Sequence, residues 1–177
     1  MKPINEMTQL ELAAYVHTHL TSFGIDVVLS GGAVVAFYTS GKYVSRDIDF
    51  VNRYLEKRSK IIKSMEELGF QEVGMQFEHP DTDWFVEFPP GPLSIGEERI
   101  IDINEIELET GTLRLISPTD CVKDRLAWFF HDGDRQCLAQ AVLVAHEQQI
   151  DIGEIREWSE REGKLEEYEK IKEQLGG

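Results

Sequence analysis

Two pairs of residues in the segment from Leu29 to Val51 could do chemistry together. Gly31 and Gly32 end one apolar run, and Asp47 and Asp49 stand one residue apart inside a second apolar run. Glycine lets backbone N–H groups come close to a phosphate, and carboxylate oxygens are the ligands that hard divalent cations prefer. The two pairs together point to a site for a nucleoside triphosphate and a divalent metal ion.

The aspartate pair has the spacing of a strand. Side chains alternate along a strand, so Asp47 and Asp49 share one face, while Ile48 and Phe50 point to the other. Aspartate is disfavoured in strands, and two like charges on one face repel by about 1 kcal/mol or more. A bound divalent cation removes that cost. An exposed edge strand with a solvated acidic face explains the Asp-x-Asp pattern equally well.

The glycine pair is informative through its position. Ser30-Gly31-Gly32 lies where an apolar strand pattern changes into a short helical pattern. The free N–H groups and the dipole at a helix N-terminus favour a bound phosphate. Gly-Gly alone is typical of a simple turn, but Gly-Gly, a helix, Ser45-Arg46 and then Asp-x-Asp form a much more specific combination.

This combination resembles the signature of the nucleotidyltransferase superfamily with the DNA polymerase beta-like catalytic fold. The Gly-Gly form followed by Ser45-Arg46-Asp47-Ile48-Asp49-Phe50 looks most like the AbiEii-type toxin group of bacteria. The resemblance implies an α+β fold with a mixed nucleotidyltransferase-type sheet flanked by helices, followed by a C-terminal helical segment. We therefore expect an α/β core over residues 1–116 and a helical extension packed on it over residues 117–177.

By this resemblance the protein transfers a nucleoside monophosphate from a nucleoside triphosphate, such as ATP, to an acceptor hydroxyl, and Mg²⁺ or Mn²⁺ is required. The acceptor stays open among RNA, a protein side chain and a small molecule. The alternative is a catalytically inactive module on the same fold that binds a nucleotide or a partner, such as an antitoxin in a toxin–antitoxin pair. The nucleotide contacts implied by the resemblance are Ser30, Gly31, Gly32, Ser45, Arg46 and Lys123.

The metal ligands implied by the resemblance are Asp47, Asp49 and a third carboxylate on a nearby strand. Glu87 is the preferred third ligand, because it is a lone acid between apolar residues in Trp84-Phe85-Val86-Glu87-Phe88. Asp102, in a similar apolar setting, is the competitor. For the basic phosphate contact, the alternatives to Lys123 are Arg125 and Arg135.

The remaining sequence predicts the elements that position these residues. A capping box at Thr8 opens the first helix, which ends near Gly24. The expected strands are 25–29, 48–51, the hairpin of 71–78 with 84–88, and the pair 99–106 with 112–116. The expected helices are 33–38, 54–68 and three C-terminal helices capped by Ser117, Asp134 and Asp151.

Composition limits the partners. The 177 residues include 18 basic and 33 acidic side chains, for a net charge of −15, which argues against non-specific nucleic-acid binding and repels anionic membranes. Residues 42–63 run against this trend, with seven bases and three acids, and form either a solvated helix face or a positive rim beside the aspartates.

Other classes of function find little support in the sequence. No run is long and apolar enough for a membrane span, and no apolar signal region is present at the N-terminus, so we expect a cytoplasmic protein. Cys121 and Cys137 lie in helical apolar patterns and are expected to be buried free thiols. The five histidines match no metal-ligand spacing.

Overall fold

A mixed seven-stranded sheet with helices packed around it organises the computed structural model, which describes residues 2–176. Its strands lie in the order β3-β4-β5-β2-β1-β9-β8, and β6 and β7 form a separate hairpin. The strands are β1 Val27–Ser30, β2 Asp47–Asn52, β3 Gln71–Val73, β4 Gln76–Glu78, β5 Phe85–Glu87, β6 Ser94–Ile95, β7 Glu98–Arg99, β8 Ile103–Leu108 and β9 Gly111–Ile116. The α-helices are α1 Gln9–Ser22, α2 Gly31–Tyr38, α3 Arg58–Glu67, α4 Pro118–Asp132, α5 Arg135–Glu147, α6 Ile152–Arg161 and α7 Leu165–Ile171.

The centre of the sheet decides the geometry of the site. Strand β2 is antiparallel to β1 on one side and parallel to β5 on the other, and β1 is parallel to β9. Every residue of β1 is buried, as expected for a central strand covered on both faces. In β2 buried residues alternate with half-buried ones, so one face packs into the core and the other carries the aspartates.

The apolar face of β2 packs against aromatic residues. The ring of Phe50 lies 6.3 Å from that of His17 on α1 and 6.2 Å from that of Phe88, and Phe88 contacts Phe77 edge to face at 5.5 Å. Offset and edge-to-face contacts of this kind add to the free energy gained by burying the rings. The strand is therefore anchored from one side, and Asp47 and Asp49 are presented on the opposite side.

Most predicted elements are present with small shifts at their ends. The capping box forms between Thr8 and Glu11, and Asp134 and Asp151 cap α5 and α6 as expected. The predicted helix 54–68 begins only at Arg58, because Leu55 has a φ of 56°, which no helix accepts.

Two strand predictions also need correction. Residues 71–78 form two short strands around a turn at Gly74 rather than one, and the second of them pairs with β5. The strand predicted over 99–106 begins at Ile103, since residues 98–99 pair with β6 in the separate hairpin. The turn that divides residues 71–78 into two strands is possible because Gly74 adopts a φ of 67°, which glycine accepts without strain.

The C-terminal helices share one apolar core with the sheet. Val122, Leu126, Ala141 and Trp158 belong to the same buried cluster as residues of β1 and α1. Cys121 and Cys137 are buried free thiols, as predicted. Among residues 2–176, no helix combines the length and the apolar character that crossing a membrane requires.

Candidate active site

Three carboxylates lie on the same face of the sheet. In the parallel pairing of β2 with β5, Asp49 lies directly opposite Glu87, and paired residues point to the same face. Asp47, two residues before Asp49, shares that face. Burial raises the pKa of the Asp49 carboxyl to about 7, with the negative charges of Asp47 and Glu87 adding to the effect. The three acids are therefore close enough to repel one another.

These carboxylates fit a divalent cation. Across residues 2–176, none of the three forms an ion pair with a lysine, arginine or histidine, and Asp49 is held in a buried setting that disfavours its charge. Three carboxylates on one face of the sheet, none of them ion-paired to a lysine, arginine or histidine, are the donor type that Mg²⁺ or Mn²⁺ accepts, although within residues 2–176 their ligand atoms do not all lie within 4.8 Å of one another. Asp102 is exposed in the irregular segment before β8, so the structure brings Glu87 and not Asp102 into register with Asp49.

The two glycines allow α2 to approach the aspartates. Gly31 has a φ of 69°, and a Cβ atom there would lie 2.1 Å from Oδ2 of Asp49. A Cβ atom on Gly32 would lie 2.8 Å from Oγ of Ser45. Ser30 is the N-cap residue of α2, and its Oγ lies 3.5 Å from the carbonyl oxygen of Asp49. The start of α2, with its free N–H groups, is thus packed against the carboxylates.

The entry into β2 is fixed by a residue that sequence reasoning missed. Gln9, the first residue of α1, donates from Nε2 to the carbonyl oxygens of Ser45 at 2.9 Å and Asp47 at 3.2 Å. The backbone N–H of Asp47 also donates to Oγ of Ser45 at 3.2 Å. Because Gln9 and Ser45 are far apart in the chain, no local pattern could have revealed this contact.

An open cleft of about 550 Å³ adjoins the start of β2. Ser45 and Arg46 line it on one side, and the loop before β5, with Asp81, Asp83 and Trp84, lines it on another. Since β2 and β5 run parallel and both begin at this cleft, it lies at the same end of the two strands as Asp47.

Lys123 lies in a different environment from the one expected of a phosphate contact. Its side chain is buried, and Nζ lies 2.6 Å from Glu98, 2.9 Å from Asp120 and 2.8 Å from Glu154. Burial by itself lowers a lysine pKa, but hydrogen bonds to Glu154, Glu98 and Asp120 outweigh it, so the pKa of Lys123 is raised. An ammonium group has three donors, and all three are used here. The three acids also have the spacing of a metal site, but Nζ of Lys123 already occupies the position between them.

Arg125, two residues after Lys123 on α4, has a side chain that is only 12% exposed. Its positive charge is the one that acts to lower the pKa of Asp49. The guanidinium donates from Nε to Asp124 at 3.0 Å and from Nη1 to Oε1 of the buried Gln140 at 3.4 Å. Arg135, the third candidate, is exposed at the first residue of α5. Of the three basic candidates, Arg125 is therefore the one whose charge acts on Asp49.

The basic window of residues 42–63 is largely neutralised in the fold. Four of its seven bases form ion pairs with acids, in the pairs Lys42–Glu147, Arg53–Asp26, Arg58–Glu72 and Lys60–Glu56. Among the seven, Arg46 lines the cleft beside Asp47. A continuous positive rim around the aspartates is not formed.

No family model matches the sequence, and no curated protein matches it. The fold is nevertheless similar to solved structures of nucleotidyltransferases. A nucleotidyltransferase-like antigenic protein from Paracoccidioides brasiliensis aligns with a TM-score of 0.58 at 14% identity, over 78% of this chain and 76% of that one. The antibiotic-resistance factor ANT(2'')-Ia aligns with a TM-score of 0.53 at 14% identity, over 88% and 93%. The lincosamide antibiotic adenylyltransferase LnuA, with lincomycin bound, aligns with a TM-score of 0.53 at 17% identity, over 80% and 99%. At these identities the likeness shows a common fold.

Proposed function

We propose that this chain is a metal-dependent nucleotidyltransferase, which moves a nucleoside monophosphate from a nucleoside triphosphate to an acceptor hydroxyl. The observation that carries the proposal is the register of β2 with β5, which places Glu87 opposite Asp49 on the face shared with Asp47. The start of α2 at Gly31 packs against this group. The fold shared with nucleotidyltransferases supports the same conclusion. Membership of the AbiEii-type group and an antitoxin partner stay predictions from the sequence.

In this proposal Asp47, Asp49 and Glu87 hold Mg²⁺ or Mn²⁺. When bound, the ion neutralises the carboxylates and the developing charge on the phosphates. The N–H groups at the start of α2 and the guanidinium of Arg125 bind phosphate oxygens. Gln140 and Asp124 orient Arg125, and Gln9 fixes the backbone that leads into Asp47.

The reaction is a displacement at the α-phosphorus. The acceptor oxygen forms a bond to that phosphorus, the bond to the bridging oxygen breaks, and pyrophosphate leaves with the electron pair. A carboxylate in the lining of the cleft, which includes Asp81 and Asp83, accepts the hydroxyl proton. The protein contributes mainly by positioning the reactants and by compensating charge.

The cleft beside β2 is the proposed acceptor site. It contains the carboxylates of Asp81 and Asp83 and the indole of Trp84, which suit a small hydroxylated molecule that carries positive charge. RNA is disfavoured, because the chain has a net charge of −15 and the basic window is largely paired with acids. The adenylyltransferase LnuA, which has lincomycin bound, shares this fold and offers a precedent for a small acceptor.

The proposal is tested by titrating ATP with and without Mg²⁺ in a calorimeter. We expect binding to require the metal and to be lost in the Asp47→Asn/Asp49→Asn double variant. Glu87→Gln should weaken metal-dependent binding strongly, whereas the matched control Asp102→Asn, with its exposed side chain, should behave as the wild type. Binding that needs no metal, or that survives in the double variant, would contradict the proposal. Metal-dependent ATP binding without transfer to any acceptor would instead support the inactive module.

A further inference from the structure

A group of large apolar side chains is exposed away from the candidate active site. Tyr54, Leu55 and Ile101 are 66%, 64% and 81% exposed, respectively. Leu55 also adopts a φ of 56°, a conformation that residues other than glycine rarely take. Single exposed apolar residues are common, but a cluster of them marks an interaction surface.

Two of these residues line one shallow hollow together with arginines. Arg53, Tyr54, Leu93, Arg99, Ile100 and Ile101 surround a volume of about 280 Å³. Leu55 continues the apolar surface into the neighbouring hollow beside Pro89 and Pro90. We refer to Arg53, Tyr54, Leu55, Arg99 and Ile101 as the Arg–Tyr surface.

The charge of the Arg–Tyr surface is opposite to that of the whole chain. The 280 Å³ hollow is lined by two guanidinium groups and by no carboxylate, although the net charge of the protein is −15. Arg53 pairs with Asp26 at 3.3 Å and lies 5.5 Å from the centre of the Tyr54 ring. Arg99 forms no ion pair within residues 2–176, so its charge is available to a ligand.

The Arg–Tyr surface is separate from the candidate active site. Asp47 is the first residue of β2, whereas Arg53, Tyr54 and Leu55 follow its last residue, Asn52. From Asp49, the aspartate nearer that end, β2 advances four residues to Arg53, about 13 Å at about 3.3 Å each. The 280 Å³ hollow contains none of the three carboxylates of the candidate active site, so a variant in one can be examined with the other as an internal control.

We propose that the Arg–Tyr surface docks an acidic segment of a partner protein. A carboxylate of the partner pairs with Arg53 and Arg99, and an adjacent apolar side chain covers Tyr54 and Ile101. Tyrosine and arginine are the residue types that supply most of the binding energy at protein interfaces, and here they stand beside exposed aliphatic groups.

The same features disfavour other occupants. The net charge of −15 repels a polyanion, which disfavours a nucleic acid even though Tyr54 and the arginines offer a stacking face and positive charge. A symmetric contact between two copies of the chain would place the arginines of the Arg–Tyr surface against each other, which costs free energy. Complementarity of charge therefore selects a partner with carboxylates.

The test is photo-crosslinking of the full chain in its source cells. A photoreactive amino acid replaces Ile101, and the matched control carries it at Met75, which is 78% exposed and lies outside the Arg–Tyr surface. We expect one protein to be attached at Ile101, through a peptide that contains Asp or Glu, and not at Met75. The Arg99→Glu substitution should reduce this adduct by about tenfold or more, and Lys in place of the partner's acid should restore it.

Several results would overturn the proposal. The proposal fails if labelling from Ile101 equals that from Met75, or if no adduct forms at Ile101. It also fails if the adduct contains RNA or a second copy of this chain, or if Arg99→Glu leaves the amount of adduct unchanged. Thermal unfolding of the Arg99→Glu protein serves as the folding control, and its Tm should equal that of the wild type. The outcome is therefore independent of whether the proposed transferase activity is found.

Discussion

Replacing Lys123 by methionine separates its structural role from a role in phosphate binding. The substitution keeps the length and most of the volume of the side chain but removes the ammonium group that joins α4 to β7 and α6. Glu98 and Glu154 are partly exposed and regain water, whereas the side chain of Asp120 is only 10% exposed. The cost is therefore dominated by one buried carboxylate that has lost its partner.

The expected loss of stability in Lys123→Met can be estimated from the unpaired carboxylate of Asp120. Breaking a buried ion pair by removing one partner costs about 3–5 kcal/mol, and two solvated carboxylates place this case near the lower value, about 3 kcal/mol. For a chain of this length, 1 kcal/mol corresponds to about 2–4 °C, so Tm should fall by about 6–12 °C at pH 7. The exposed pair of Lys172 with Glu169 offers the control Lys172→Met, for which we expect no measurable change in Tm.

The pH dependence of the Tm difference between the wild type and Lys123→Met is a second, independent test of the structural role of Lys123. Burial disfavours the charged form of Glu98, but hydrogen bonds from Lys123 and Arg161 outweigh burial and lower the pKa of Glu98. Glu98 therefore stabilises the fold above its unfolded pKa, and this stabilisation is lost as the pH falls through its folded pKa. In the methionine variant that contribution shrinks. Burial raises the pKa of Asp120 even with Lys123 present, and acid relieves its unpaired charge in the variant. The Tm difference between the two proteins should therefore be largest near neutral pH and decrease below about pH 4.

The assays are thermal unfolding at several pH values and ATP titration with Mg²⁺ at a temperature at which both proteins are folded. We expect the folded variant to bind ATP as the wild type does, because the ammonium group is enclosed by carboxylates. A variant that retains its Tm but loses ATP binding would refute the structural role and restore Lys123 as a phosphate contact.

Three further predictions concern the candidate active site. Gly31→Ala should abolish metal-dependent ATP binding, because the new Cβ atom would lie 2.1 Å from Oδ2 of Asp49. The control is Gly41→Ala, since Gly41 also has a positive φ but has open space around it. This control should lower Tm and leave ATP binding, measured by calorimetry, unchanged. Asp49→Asn should raise the Tm of the metal-free protein at pH 8 but not near pH 4, because the folded pKa of about 7 lies above the unfolded value and the charged carboxylate therefore destabilises the folded protein as the pH rises. Mg²⁺ should raise the Tm of the wild type but not that of the variant. An equal effect of Mg²⁺ on both proteins would contradict the assignment of Asp49 as a metal ligand. Gln140→Leu should weaken ATP binding about tenfold, because Arg125 loses the hydrogen bond that orients its guanidinium. Gln140→Glu still accepts a hydrogen bond from that guanidinium and should bind ATP normally. Equal losses of binding in the two variants, measured by calorimetry, would exclude an orienting role for Gln140.

Which residues of β2 share the face of the candidate active site could be predicted from the local sequence. The alternation of side chains along a strand is a property of the backbone, so the sequence alone places Asp47 and Asp49 on one face and Ile48 and Phe50 on the other. Capping residues act over three or four positions, so Thr8 could also be assigned from sequence. The start of α3 was misplaced because the positive φ of Leu55 has no local signature in a residue type that avoids it.

The choice of third carboxylate depended on contacts between distant segments. Glu87 and Asp102 both lie between apolar residues, and only the parallel pairing of β2 with β5 places one of them opposite Asp49. That pairing is set by the whole sheet, since β5 is held on its other side by β4. The sequence favoured Glu87 through its position in the chain, and the register gives the physical reason.

The division of roles on α4 shows most clearly where sequence information ends. Lys123 and Arg125 are two residues apart, and at 3.6 residues per turn their side chains point about 200° away from each other. The sequence by itself determines that two basic side chains lie on nearly opposite faces of a helix that begins after Ser117. Only the packing of α4 in the tertiary structure decides that Lys123 is enclosed by Glu98 and Glu154, whereas the charge of Arg125 acts on Asp49. A local pattern fixes the angle between neighbouring side chains, whereas the absolute rotation of the helix is set by which surface it buries.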